Sequence, residues 1–150
     1  AEIALGIEWK PLAALPVTLL AERRQAVGAD GRSAFSLLAY GGVSDRPVAG
    51  PVRLDAYAQA GVVGLRARDL FADGSMRLTV PVDAKRMLKA GFGLWGAAQP
   101  GLSRLDVGPH ISMRLPIRIA NLRLAAEWRV RVAGNAAPAS GPGLTLSTDF

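Results

Sequence analysis

Cysteine is absent, so the chain can form neither a disulfide frame nor a thiolate metal site. Histidine occurs once, at His110, between apolar neighbours in an alternating segment, where it reads as an interior residue before it reads as a catalytic base. No Ser-His-Asp spacing and no phosphate-binding loop is present. Gly91-Phe-Gly-Leu-Trp-Gly96 contains G-x-G-x-x-G, yet it lies inside an alternating segment and opens no helix, the context that fingerprint requires. These absences predict no enzyme, no cofactor and no metal site. Long apolar runs are missing too. The longest charge-free stretch, Val132 to Thr148, is broken by Gly134, Pro138, Gly141, Pro142 and Gly143, so no segment supplies the roughly 18 apolar residues of a membrane-spanning helix.

What the chain does have is hydrophobicity in short pieces. Half of its 150 residues are hydrophobic, mean hydropathy is +0.22, and 17 Gly and 10 Pro punctuate the sequence. That combination suits many strands and turns in one domain, residues 1–150. Net charge is +6, carried by 15 Arg and 3 Lys. An Arg excess suggests charges held in ion pairs or facing anions.

Side chains in a strand alternate faces. Over Leu105–Ile119 one face carries Leu105, Val107, Ile111, Met113, Leu115, Ile117 and Ile119, and the other carries Asp106, His110, Ser112, Arg114 and Arg118. Leu122–Val132 and Val52–Val63 repeat the pattern. Weaker matches cover Glu2–Lys10, Val17–Val27, Ser33–Gly42, Met76–Val82, Met87–Ala97 and Leu144–Phe150, giving nine predicted strands. Turn-like pieces are expected at 28–31, 41–51, 69–75, 99–101, 120–121 and 134–143. Several strands reach 10 to 15 residues. Soluble strands average about 5 or 6, whereas membrane-barrel strands need about 9–11.

The two faces differ in chemistry. One is expected to hold Glu22, Arg24, Arg53, Asp55, Arg77, Lys89, Asp106, Arg114, Arg118, Arg123, Glu127, Arg129, Arg131 and Asp149; the other is nearly free of charge. Lipid demands such a division, and the predicted fold class is all-β, an antiparallel up-and-down transmembrane barrel or its C-terminal part. The charged set would then face the lumen. A soluble β-sandwich or lipocalin-like binding module is the alternative, since periodicity does not say which face meets solvent. Trp9 and Phe150 suit interface girdles, and Phe35, Phe92 and Trp128 suit lipid-facing positions. Pro109 and Pro116 predict an edge, a bulge or interrupted pairing in their strand. An odd strand count, with a chain starting at Ala1 inside an alternating run, predicts a fragment of a larger barrel, completed by further strands of the same protein or by other copies. A hairpin closed by Ala120-Asn121 would set Arg114 opposite Glu127 and His110 opposite Arg131.

Glu8-Trp-Lys-Pro-Leu12, Leu15 to Arg24, and Leu37-Leu-Ala-Tyr-Gly-Gly42 resemble the C-terminal barrel of the phage-adsorption protein A family, outer-membrane proteins laid out like cellulose-export porins. Leu94 to Gly101, Arg104 to Pro109, and Trp128 to Phe150 resemble barrel C-termini of sphingomonad-type bacteria. The resemblance implies a bacterial outer-membrane location and helical periplasmic repeats ahead of the barrel. Leu144, Leu146 and Phe150 resemble the C-terminal signal read by the barrel-insertion machinery. The functional expectation is a passive pore or export conduit for saccharide-like or anionic solutes, doubling as a phage receptor. Its expected partners are outer-membrane lipid, the insertion machinery and anionic saccharide. Nucleic acid is not expected, because the basic residues are spaced by strand period and no RNA-binding aromatic pattern accompanies them.

Overall fold

The computed structural model describes residues 2–11, 16–26, 34–64, 69–117 and 120–149. Nine strands form one sheet in chain order: β1 (Glu2–Trp9), β2 (Val17–Ala26), β3 (Ala34–Ala49), β4 (Val52–Val63), β5 (Asp69–Pro81), β6 (Leu88–Gln99), β7 (Leu102–Ile117), β8 (Ala120–Gly134) and β9 (Gly141–Asp149). Every neighbouring pair is antiparallel, and β1 and β9 are the two edges. The fold is therefore all-β and up-and-down, as the alternation predicts.

The registers carry one face across the whole sheet. Arg53 pairs with Thr79, Thr79 with Gly91, Gly91 with His110, and His110 with Glu127. Tyr57, Ser75, Trp95, Asp106 and Arg131 form a parallel row. The buried side chains Thr18, Ser36, Thr79, Trp95, Asp106, His110, Ala125 and Glu127 all lie on this face. Most exposed large apolar residues lie on the other, among them Leu5 (77% exposed), Ile7 (77%), Phe92 (71%) and Leu144 (75%).

The sheet is rolled around the polar face. Arg123 on β8 comes within 3.9 Å of Asp55 on β4. Four strand spacings would hold them about 19 Å apart in a flat sheet, so contact requires strong curvature. Bulges and glycines supply such curvature. Two-against-one pairing occurs in β3 between Val43 and Arg46, where Asp45 adopts φ of 52°, and in the β7–β8 ladder between Leu105 and Asp106. At Gly91 and Gly108 the neighbouring strand comes so near that an added Cβ would lie 1.9 Å from Leu78 O and 1.7 Å from Trp128 O. The Pro100-Gly101 turn between β6 and β7 uses glycine differently, for its φ of 79°.

Three expectations are corrected. Residues 41–51 and 69–75 read as turns but mostly belong to β3 and β5, because ladder pairing with β4 overrides their Gly, Pro, Asp and Ser content. In the β7–β8 hairpin, Ala120 and Asn121 pair with Ile117 and Pro116, so they belong to the ladder and not to the loop; residues 118–119 lie outside the described residues. Facing residues thus move by four: Arg114 faces Arg123, and Glu127 faces His110. An even shift keeps every side chain on its face, and Ala120 lacks the positive-φ preference that the first position of a two-residue hairpin turn requires. Pro116 is tolerated inside the ladder opposite Asn121, near the strand end.

The turn between β5 and β6 is organised by Asp83, whose carboxylate accepts the Leu88 amide at 2.7 Å while its carbonyl accepts the Arg86 amide at 3.1 Å. The Leu88 bond holds the Asp83 carboxyl below its usual value of 3.8. A depressed folded pKa contributes stability that is present above the unfolded value and lost as pH falls through the folded one. NMR titration should therefore show Asp83 ionising below pH 3.8, and Asp83→Ala should abolish the acid-induced loosening of this turn. Gly91→Val and Gly108→Val should each destabilise the fold by about 1–3 kcal/mol through overpacking against backbone. Gly96→Ala, whose Cβ would meet nothing nearer than 3.7 Å, should be close to neutral by chemical denaturation.

Candidate functional site: the polar concave wall

The concave face gathers the charged residues expected there. Glu22, Arg53, Asp55, Arg77, Lys89, Asp106, Arg114, Arg123, Glu127, Arg129 and Arg131 share its register. Arg24 and Asp149 hold concave register positions opposite Ala34 and Asn121. Arg118 and Phe150 lie outside the described residues. Leu144 and Leu146 point to the convex face, exposed, with Trp9, Phe35, Phe92 and Trp128. Among the described strand residues, Arg23 and Arg46 are the charges at convex register positions. Arg23 sits near the end of its strand, with its guanidinium 4.9 Å from the Phe35 ring centroid.

The centre of the wall is a packed polar cluster. Trp95 extends over Gly93, its ring carbons filling the space where a Cβ would be. Arg129 lies 4.7 Å above the Trp95 ring and donates from Nε to Glu127 Oε1 at 2.7 Å. His110 Nδ1 approaches Glu127 Oε2 at 3.3 Å. Glu127 and His110 are nearly inaccessible, with side chains 3% and 5% exposed. One row along, Arg104 Nε donates to Asp106 Oδ2 at 2.5 Å and its Nη1 to the carbonyl of Pro138 at 2.7 Å. This pins the loop between β8 and β9 against the wall. A cavity of about 230 Å³ opens between Tyr57, Asp73, Ser75, Trp95, Asp106 and Arg129.

A second cluster lies towards the other end of the strands. The β3 bulge folds inward: Ser44 Oγ and the Asp45 amide donate to Asp55 Oδ1 at 2.8 and 3.2 Å, and Asp45 accepts from Lys89 Nζ at 2.5 Å. Ser36 Oγ, Arg77 Nε, Thr79 Oγ1 and Asp106 Oδ1 are buried on this wall without a protein partner. Such groups call for hydrogen bonds to water or solute.

The charge on the described wall is nearly balanced. Arg53, Arg77, Lys89, Arg104, Arg114, Arg123, Arg129 and Arg131 give eight cations, against Glu8, Glu22, Asp55, Asp69, Asp73, Asp106 and Glu127, seven anions. Asp45 reaches in from the bulge as an eighth. The wall therefore lacks the strong positive lining that the Arg excess suggests. Among the described residues, Lys85 and Arg86 lie in the turn between β5 and β6, and Arg23 and Arg46 hold convex positions.

Sequence reasoning did not place Trp95, Arg104 or Asp45 in the site. Trp95 was readable from Gly93, two residues earlier on the same face, which clears a space for a large ring. Asp45 reaches the wall through a bulge that alternation does not reveal. Gly91 to Gly96 lie wholly inside β6. A hollow of about 1010 Å³ is bordered mainly by small residues such as Ala39, Ala58, Gly74 and Gly96, which hold register positions on the apolar face, and it brings no comparable chemistry. No protein-family model, curated protein or solved structure matches the chain.

Removing one member of a buried pair leaves the other desolvated, at about 3–5 kcal/mol. Glu127→Ala should cost less, about 1–3 kcal/mol, since it leaves the buried His110 without its partner while Arg129, 37% exposed, still reaches water. Arg123→Ala, breaking a looser and more exposed contact, should cost under about 1 kcal/mol. Chemical denaturation midpoints of the two variants check the ranking.

Proposed function

We propose that this chain forms the wall of a transmembrane β-barrel in a bacterial outer membrane and lines a passive conduit for saccharide-like solutes. The observation that carries this reading is the inside-out partition. A rolled sheet in water hides its apolar side within the curve and shows its polar side. Here the concave face holds the ion pairs, and Leu5, Ile7, Phe92, Trp128, Leu144 and Leu146 stand exposed on the convex one. Lipid is the surroundings in which that arrangement is stable, since charge at mid-bilayer on the outer face costs about 2–4 kcal/mol. Strand lengths support the same reading: β3 to β8 run from 12 to 16 residues.

The near-neutral wall narrows the solute. Rings of one sign select ions of the other, whereas alternating paired donors and acceptors suit hydroxyl-rich solutes that exchange hydrogen bonds with both. The soluble-module alternative needs a partner covering the whole convex face.

The protein should require detergent or lipid for dispersion and should migrate heat-modifiably in SDS gels; a monodisperse detergent-free monomer contradicts the membrane reading. Phe92→Arg should weaken membrane assembly by about 2–4 kcal/mol. In lipid vesicles it should pass oligosaccharides, with a reversal potential near zero in a salt gradient. Strong anion selectivity contradicts the balanced wall, and an absence of both sugar flux and conductance contradicts the conduit.

A further inference from the structure

The two free edges, β1 and β9, carry information about what completes the sheet. Among the described residues each has one neighbouring strand only. A bilayer offers no hydrogen bonds to the unpaired amides and carbonyls of an open edge, so both must be paired in lipid. This inference rests on the membrane reading above.

Strand direction decides the partner. Every step from β1 to β9 reverses direction, and there are eight steps, so β1 and β9 run the same way. If they met directly, the seam would be parallel, unlike all eight ladders within the sheet. Copies of this chain do not escape that result. Rotation about an axis normal to the membrane preserves strand direction, so β9 of one copy beside β1 of the next is again parallel. A copy turned upside down would restore antiparallel pairing but would carry its connections to the wrong sides of the membrane.

We infer that the β1 and β9 edges are bridged by an odd number of further antiparallel strands whose sequence lies outside residues 2–149. The number is small. Asp55 and Arg123, four strands apart, already meet across the concave face, which sets a tight roll. The partner's chemistry follows from the edges it joins. Beside Ile3, Leu5, Ile7 and Trp9 of β1 and Leu144 and Leu146 of β9, all exposed and convex, it presents apolar residues outward. Beside Glu8 and Thr145 it presents polar residues inward. It runs opposite to both edges over about 9–11 residues per strand.

Residues 1–150 hold no cysteine, and any cysteine in the further strands is first changed to serine. Leu5→Cys or Ile7→Cys is combined with Leu144→Cys or Leu146→Cys in the protein as it occurs in its native membrane, and disulfides are read under oxidation. Backbone hydrogen exchange is measured on the unmodified protein. The inference expects no disulfide within or between copies, together with slow exchange at the alternate amides of β1 and β9 that point away from β2 and β8. A disulfide within one chain shows direct parallel closure and overturns it. A disulfide-linked dimer shows a seam between copies and overturns it. Fast exchange at both outer edges shows that nothing pairs there and overturns it as well. A protein that fractionates as soluble overturns the membrane reading itself, which distinguishes the two failures.

Discussion

Strict alternation of charge and hydrocarbon along the strands, with hydrocarbon on the outside of the curve, is the constraint on which everything else depends. A β-strand can sort its side chains to only two faces. Once Arg53, Arg77, Asp106, Glu127 and Arg129 occupy one of them, the fate of the whole sheet follows from which way it rolls. Bulges in β3 and β8 and close approaches at Gly91 and Gly108 accompany a roll toward the charged side. Charged side chains inside a narrow curve are then driven to pair, and several do: Asp55 with Arg123, Asp45 with Lys89, Arg104 with Asp106, and Glu127 with Arg129 and His110, while Arg77 Nε and Asp106 Oδ1 are left to water or solute.

These contacts explain why the register is held so firmly. A slip of one residue in the β7–β8 ladder would move Glu127 to the convex face and Trp128 to the concave one. It would carry Arg129 off the Trp95 ring with them and leave His110 on β7 without its carboxylate. A slip of an even number is less severe, because parity survives. The polar cluster therefore fixes which even register is used, while the apolar face forbids the odd ones.

Much of this was legible in the residues. Nine alternating runs correspond to nine strands, and the charged residues of β4 to β8 share one register, where polar and apolar residues alternate with little interruption. Legibility failed where backbone pairing overrides composition. Gly41, Ser44, Asp45 and Pro47 look like a turn, but β4 supplies a ladder partner for most of that stretch and the surplus residue becomes a bulge. Asp69 to Ser75 fails for the same reason. The β7–β8 register was misjudged by four residues because hydrophobic patterning constrains only parity. The loop position and the His110–Glu127 contact decide the rest, and neither has a local signal. Trp95 was missed because its meaning depends on Gly93 beneath it, a relation within one face rather than along the chain.

The central claim is that lipid meets the convex face and water the concave one. Three tryptophans make that measurable without labels: Trp9 and Trp128 are convex, and Trp95 is buried on the concave wall. Single-tryptophan variants retaining Trp128 or Trp95 can be reconstituted in vesicles containing lipids brominated along their acyl chains, with fluorescence quenching recorded for each. The account predicts strong quenching of Trp128 and little quenching of Trp95. Equal quenching of both, or quenching of Trp95 alone, would contradict it.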